Sequence, residues 1–286
     1  MSIIGAILGS VLLLVGAGVI AGAYGRSRWD ASTRGLRAQA QAGRLRTDGA
    51  SYDSREIVGL PDPVRAYFRA ALKDAQPLVA AASLEHRGTF NMSETGEQWK
   101  PFTSDQFVVV RRPAFVWDAR IRMVPGMSVH VHDAYVGGGG VLTASVLGLV
   151  TVMAQPATPE LAHGELMRFL AEAVWYPTVL LPSQGVGWEP IDDTAARASV
   201  TDGGTTVSLE FHFDESGLVE TVRSPGRYRL VDGLQVSTPW EGRFWDYQRR
   251  DGMLVPLEGE VAWLLEDGPK PYWRGRIQRV QYETGP

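Results

Sequence analysis

The stretch Pro159–Asp193, PELAHGELMRFLAEAVWYPTVLLPSQGVGWEPIDD, contains the long helical pattern around which the strand-like body of the chain is arranged. Thr158 can cap a helix that begins at Pro159, and Glu160 places an acid in its first turn. Pro177 disfavours continuation, so the pattern predicts a central helix over residues 159–176. A helix with one broad apolar face needs an apolar surface to cover, and here we expect that surface to be a sheet.

The same helix carries a polar stripe made of Glu165, Arg168 and Glu172, at positions i, i+3 and i+7. One interpretation is a solvated face held by surface ion pairs. The other places the stripe in a cleft where the helix meets the sheet. An apolar cavity on the concave side of a curved sheet would then be a ligand site, for which the candidate residues are Trp117, Glu172, Trp175, Val179, Leu181 and Trp263. The competing interpretation of these tryptophans is an ordinary aromatic core.

Outside the central helix the apolar residues recur with a period of two. Phe115, Trp117 and Ala119 alternate with Val116 and Asp118, which predicts a half-buried strand. The glycines at 137–140 and recurrent Asp-Gly pairs predict tight hairpin turns. The predicted fold is therefore α+β and β-rich: an N-terminal transmembrane helix, then a curved antiparallel meander or half-barrel covered by the central helix.

The last hairpin can be assigned a register from its apolar residues. Pairing Leu265 with Trp273, Trp263 with Gly275 and Val261 with Ile277 builds one apolar face.

The chain begins with an apolar run, residues 3–24, that is long enough to cross a bilayer at about 20 residues. Arginines follow this run and none precedes it, which favours a retained anchor over a cleaved signal peptide. The predicted organisation is an anchor over 1–25, a basic juxtamembrane helix or linker over 26–54, and one β-rich domain over 55–286. The arginine flank favours a single-pass protein of the cell membrane with a cytoplasmic body, and the alternative is an extracytoplasmic body.

Composition narrows the function classes. The net charge is −4 and there are no cysteines, so disulfides, thiolate zinc sites and cysteine nucleophiles are excluded. The basic cluster abuts the predicted anchor while the rest of the chain is acidic, which argues against nucleic-acid binding. The glycines at 137–140 lack the lysine and spacing of a phosphate-binding loop, and we predict no cofactor.

His130 and His132 are the sharpest local signal for chemistry. On a strand they point to the same side, a spacing that zinc sites use, with His163, Glu165 or Glu172 as the candidate third ligand. The alternative is that Val129 and Val131 supply the apolar face and both histidines lie on the solvent side. No nucleophile motif of the G-x-S-x-G type is present.

A set of longer motifs carries a resemblance. They are LPDPVRAYF (60–68), FVWDARIRM (115–123), DAYVGGGG (133–140), AEAVWYPTVLLPS (171–183), DDTAARASVTDGGTTVSLEF (192–211), TPWEGRFWDY (238–247) and DGMLVPLEGEVAWL (251–264). Over residues 55–282 this pattern resembles an uncharacterised family of bacterial membrane-anchored proteins, which implies no activity or catalytic residues. The late hairpins also resemble the curved half-barrels of bacterial lipoprotein carriers and lipid-binding periplasmic proteins, which implies an extracytoplasmic body.

Three functions remain open at this point. The first is a membrane-anchored binding module for a lipid-like or other apolar ligand, favoured by a deep apolar pocket. The second is a metal-dependent or hydrolytic enzyme that uses His130, His132 and Glu172, which requires these side chains to converge. The third is a structural partner of another membrane protein through the glycine-bearing anchor helix, favoured by a filled core. We favour a binding module over an enzyme.

Overall fold

The computed structural model describes residues 3–45, 49–93 and 96–285; the side chains of residues 3–9, 11, 14 and 15 lie outside the described part. The helices are α1 (Ile3–Ala42), α2 (Asp62–Ala71) and α3 (Pro159–Glu172). The strands are β1 (Val79–Asn91), β2 (Trp99–Val109), β3 (Ala114–Val124), β4 (Met127–Val136), β5 (Gly139–Val146), β6 (Val150–Ala154), β7 (Gly187–Pro190), β8 (Ala195–Asp202), β9 (Thr205–Phe213), β10 (Val219–Val231), β11 (Leu234–Arg250), β12 (Met253–Leu265) and β13 (Gly268–Thr284).

All 13 strands form one antiparallel sheet in the order β6-β5-β4-β3-β2-β1-β13-β12-β11-β10-β9-β8-β7. The sheet is thus two meanders joined where β1 pairs with β13, with α3 connecting the two edge strands. It curves so far that Tyr135 on β4 donates a hydrogen bond of 2.8 Å to Asp202 on β8. The predicted β-rich α+β fold with a curved antiparallel meander is confirmed.

Tight turns between the strands use residues that tolerate positive φ. Gly137 and Gly138 join β4 to β5 with φ of 61° and 81°, and Asp251 and Gly252 join β11 to β12 with φ of 48° and 88°. These are the φ signs of turns that match the twist of antiparallel hairpins. The turns predicted from these glycine and Asp-Gly pairs are confirmed.

The segment between the two meanders runs through the space that the sheet encloses, here called the interior. α3 is followed by short 3-10 turns at Ala173–Trp175, Pro177–Leu180 and Pro182–Gln184, so the predicted helix 159–176 ends as an α-helix at Glu172. We call residues 159–184 the internal segment. Leu166, Leu170 and Leu180 are fully buried in one core with residues of the sheet and with Tyr67 and Phe68 of α2.

The convex side of the sheet is covered by the second half of α1. Ala40 packs with Val109, Ala114, Val116 and Ala134 in a second, smaller core. Val116 and Asp118, expected on the solvent face of a half-buried strand, are therefore buried.

The predicted membrane-spanning run 3–24 lies in the first half of α1, and many of its side chains fall outside the described part. Within the described residues, we find no helix that has both the length and the apolar character needed to cross a membrane.

The predicted register of the last hairpin is wrong. The structure pairs Leu265 with Gly268 and Val261 with Trp273, so a tight turn replaces the longer loop that we expected. Pro269 and Pro271 lie within β13 rather than in a loop. The charged face instead joins Glu260 to Arg274 at 2.6 Å.

Candidate functional site

The interior holds a group of ionisable side chains, and α3 supplies most of them. The Thr158 hydroxyl accepts a hydrogen bond from the Leu161 backbone N–H at 3.2 Å, which confirms the predicted cap. From this start, the polar stripe of α3 faces the sheet instead of solvent. We call Asp133, Glu165, Arg168, Glu172 and Arg227 the interior polar cluster.

Arg168 lies at the centre of the cluster. Its guanidinium donates to Asp133 Oδ2 at 2.6 Å and to Glu172 Oε1 at 2.7 Å. It also lies over the rings of Phe115 and Trp117, with its Cζ 4.9 and 5.0 Å from the ring centroids. Burial alone would lower the pKa of Arg168, but the surrounding carboxylates raise it, so this residue remains a cation.

Glu165 is the acid of the cluster whose protonated form is favoured by burial. It is 3% exposed, and burial together with the nearby Asp133 carboxylate raises the pKa of Glu165 well above its usual range. Asp133 Oδ1 and Glu165 Oε2 have no donor as long as both groups are ionised. A proton on Glu165, which hydrogen-bonds Asp133, supplies that donor.

Arg227 extends the cluster towards the opposite side of the sheet. Its guanidinium lies 3.5 Å from Glu165 Oε1 and donates to the Tyr272 hydroxyl at 3.3 Å. Trp240 Nε1 donates to the same hydroxyl at 2.9 Å. The sheet therefore contacts the charged residues of α3 through Asp133 of β4 on one side and Arg227 of β10 on the other, while Tyr272 of β13 and Trp240 of β11 hold Arg227 in place.

An aromatic wall lies beside the polar cluster. We use this name for Phe102, Trp117, Phe244 and Trp273 of the sheet together with Trp175, whose neighbouring ring centroids lie 5.8 to 6.3 Å apart. Gly275 leaves room for this wall, because a Cβ atom there would lie 2.3 Å from the Trp273 ring. His86 is buried against Trp175, and burial lowers the pKa of His86 to about 3, so it is neutral.

The ligand-site candidates are spread over both parts of the interior. Trp117 and Glu172 meet at Arg168, and Trp175 belongs to the aromatic wall. Val179 and Leu181 are buried in the same core. Trp263 lies apart from them, stacked on Tyr272 with ring centroids 5.5 Å apart.

Several members of this site were not among the sequence candidates. The alternation that places Val129 and Val131 on the inner face also places Asp133 there, and that signal was available. Gln106, which donates to Glu172 at 2.6 Å, follows the same rule on β2. Arg227 lies next to a register irregularity in β10, so its inward position could not be read from alternation.

The histidine pair lies on the other side of the sheet. His130 and His132 are buried beneath α1, not solvated as the alternative interpretation held. Trp29 stacks on His132 at 3.9 Å, and Thr33 Oγ1 lies 2.7 Å from His132 Nε2. Burial lowers the pKa of His132 to about 4.

The structure does not bring the proposed metal ligands together. Glu165 and Glu172 lie in the interior, and the sheet separates them from His130 and His132. Among the described residues, no three histidine, aspartate or glutamate side chains are grouped so that they could hold a metal ion.

Two surface cavities formed by described residues lie away from the contact between α3 and the sheet. A recess of about 60 Å³ on the convex side is lined by Arg37, Glu85, Asp105 and Arg279. A groove of about 380 Å³ lies where the internal segment reaches the surface, lined by Asp53, Glu56, Ser183 and Gln184 among others. Within the described residues, the apolar side chains of α3 pack in one core with those of the sheet.

The comparisons with known proteins identify the family. The fold and site define a β-rich module with a helical segment inside a curved sheet. The chain belongs to DUF6920, a family of unknown function, whose sequence profile matches residues 58–282. The expected membership of an uncharacterised family is confirmed.

Two solved structures show a low similarity to the chain. One is the LolA superfamily protein NE2245 from Nitrosomonas europaea, with 10% identity, a TM-score of 0.40 and coverage of 78% of this chain and 93% of that one. The other is a beta-barrel-like protein of the domain of unknown function DUF1849 from Brucella abortus, with 11% identity, a TM-score of 0.22 and coverage of 72% and 99%. At these TM-scores neither similarity carries a function across. No curated protein matches the chain.

Proposed function

We propose that the protein is a membrane-attached binding module for an amphiphilic, lipid-like molecule, and that this ligand occupies the interior by displacing part of the internal segment. The observation that carries the proposal is the burial of the charged stripe of α3 against an aromatic wall. Such an interior has an apolar part and a polar part in contact, which are the two parts of an amphiphile.

Stability alone gives a weak reason for this arrangement. Burying ion pairs costs desolvation energy, and well-packed apolar residues in their place are often as stable or more stable. The interface also leaves buried donors unsatisfied, among them Trp117 Nε1 and Trp175 Nε1. An unsatisfied buried donor costs about 1–3 kcal/mol. The packed state is therefore weakened at the contact that a ligand would have to replace.

The surface groove supports a route into the interior. It lies beside Ser183 and Gln184, at the end of the internal segment, and its volume falls in the range of small-molecule sites. Ser183 is held there by a hydrogen bond of 3.3 Å from its backbone N–H to Glu56. Leu181 and Val179, two of the candidate ligand-site residues, precede Ser183 in the chain and are buried in the core.

The exposed apolar residues of α1 support attachment to the membrane. Leu12, Leu13, Val19, Ile20 and Tyr24 are all exposed along the first half of this helix. Arg26 and Arg28 follow directly, and this flank supports a cytoplasmic body. Exposed apolar side chains grouped along one helix in this way are typical of a membrane or protein contact.

The binding proposal is tested with a photoreactive fatty acid added to the full chain in mixed micelles, followed by mapping of the crosslinked peptides. We expect crosslinks to the aromatic wall and to the internal segment, competed away by excess unlabelled fatty acid. Crosslinks confined to α1 would mean that lipid meets only the anchor, and the proposal would fail.

A matched pair of variants sharpens this test. Arg168→Met loosens the contact between α3 and the sheet, so we expect stronger interior crosslinking. Arg197→Gln removes an ion pair with Glu210 on the sheet surface and should match the natural protein. Equal interior crosslinking in the natural protein, Arg168→Met and Arg197→Gln would mean that ligand binding does not depend on the interior polar cluster.

The packing of α3 into the core favours a second candidate, interaction with another membrane protein through α1. A Cβ atom added at Gly16, Gly18 or Gly22 would meet nothing within 4 Å, so this part of the helix surface is open to a close partner helix. Replacing these glycines with leucine should abolish co-purification of such a partner while interior crosslinking persists. Unchanged co-purification would exclude the glycine-bearing surface of α1 as the binding site for that partner.

A further inference from the structure

The end of the sheet from which α1 emerges, together with the edge strand β6, carries apolar side chains that are exposed in the described part of the structure. Val124 and Met127 flank the β3–β4 turn, and Val150, Val152 and Met153 lie on β6. We call these five residues the apolar rim. Val150 and Val152 are 61% and 57% exposed. An exposed apolar edge strand is a liability that soluble proteins normally avoid, so the rim needs a physical explanation.

The register of the strands places Val124, Met127 and Val150 at one end of the sheet, and Val152 and Met153 follow along its edge strand. Val124 pairs with Met127, and the backbone N–H of Leu147 donates to Ser128 at 2.9 Å, which brings the β5–β6 turn next to the β3–β4 turn. Val150 begins β6 immediately after that turn.

α1 is fixed against the same end of the sheet. Gly25 packs so closely on the β5–β6 turn that a Cβ atom there would lie 2.3 Å from the Leu147 carbonyl oxygen. Further along the helix, Trp29 Nε1 and Thr33 Oγ1 donate to the two carboxylate oxygens of Asp118, each at 2.9 Å. The exposed apolar half of α1 therefore leaves the body directly beside the apolar rim.

Basic side chains accompany the apolar ones. Arg26 and Arg28 are exposed on α1 just beyond Gly25, and Arg122 is exposed on β3 two residues before Val124. The nearby Asp30 is paired with Arg120 at 3.2 Å. Apolar side chains interleaved with arginines suit the interface of an anionic bilayer, where each basic residue contributes on the order of 1 kcal/mol.

We propose that the apolar rim is a second membrane contact, which inserts into the headgroup region of an anionic bilayer and holds the body against the membrane. This inference rests on the proposed attachment through α1, because that attachment decides which end of the body faces the lipid. The anchor then sets the orientation of the body as well as its location.

The test uses the absence of cysteine from the chain, which permits single labels. Full-length Val152→Cys, Ile20→Cys and Ser208→Cys are labelled with bimane and reconstituted into vesicles of phosphatidylcholine with or without phosphatidylglycerol. Ser208 is exposed on β9 and serves as the control. Lipids carrying a spin label near the headgroup quench a bimane that reaches the interface.

We expect the spin-labelled lipids to quench the bimane fluorescence at positions 20 and 152. Quenching at position 152 should be stronger in vesicles that contain phosphatidylglycerol. The label at position 208 should keep its fluorescence. Quenching at 20 without quenching at 152 would overturn the rim proposal and leave the attachment intact. Quenching at neither position would overturn both. A change at 152 that follows protein concentration in lipid-free micelles would show that β6 pairs with a second copy of the chain instead.

Discussion

Arg168→Met tests whether the interior polar cluster holds α3 in place. The substitution keeps most of the apolar length of the side chain but leaves Asp133 and Glu172 buried without their shared cation. The Arg168 side chain is only 14% exposed, so solvent cannot replace the lost partner. Breaking a buried pair in this way costs about 3–5 kcal/mol, and we expect a loss of that size in the free energy of unfolding.

The assay is denaturant unfolding of the full chain in mild detergent, followed by tryptophan fluorescence. Two further variants serve as controls. Arg168→Met combined with Asp133→Asn and Glu172→Gln removes the unpaired charges, so it should recover most of the loss. Arg197→Gln breaks a half-exposed pair and should cost less than about 1 kcal/mol. If Arg168→Met destabilised the protein no more than Arg197→Gln, the cluster would not be the contact that holds α3.

Three other predictions follow from the same geometry. Gly140→Ala should lower the free energy of unfolding by about 1–3 kcal/mol, because its Cβ atom would lie 2.9 Å from the Leu161 carbonyl carbon. The control Gly139→Ala should be tolerated, because its Cβ atom would meet only a carbonyl oxygen at 3.6 Å. Equal unfolding midpoints for the two variants would refute this prediction. The pKa of Glu165 is higher in the folded protein than in the unfolded chain, so the stability that Glu165 contributes falls as the pH rises above about 4.5. Relative to Glu165→Gln, the natural protein should therefore lose free energy of unfolding between about pH 5 and 8. Parallel pH profiles of the two proteins would contradict the raised pKa. Trp29→Ala should undock α1 and speed tryptic cleavage at Arg34 and Arg37, while Trp245→Ala, at an exposed position, should leave cleavage unchanged.

The local elements of this fold were predictable from the sequence because they depend on neighbouring residues. Thr158 and Pro159 mark the start of α3, and the glycines of the β4–β5 turn supply the positive φ that a tight hairpin needs. The alternation on β3 correctly sorts Trp117 from Asp118. These signals report which residues share a face, and they hold without knowledge of the rest of the chain.

What the alternation cannot report is which other element covers each face. The outer face of β3 and β4 carries polar residues, so it was interpreted as solvated, yet Trp29 and Thr33 of α1 satisfy Asp118 and His132 and bury them. The polar stripe of α3 could equally be interpreted as a solvated face, because the residues that bury it belong to strands distant in sequence. The predicted register of the last hairpin is wrong because it rests on aligning apolar residues, whereas the structure has a tight turn between Leu265 and Gly268 and a register irregularity between Val261 and Ala262.

The measurement that tests the central claim most directly is hydrogen–deuterium exchange of the full chain in vesicles, with and without a saturating lysophospholipid. If the ligand takes the place of the internal segment, amides in residues 159–184 will exchange faster when it is bound, while those of α2 and of the central strands β1 and β13 will not change. Unchanged or slower exchange throughout residues 159–184, under conditions where the lysophospholipid binds, would contradict the account.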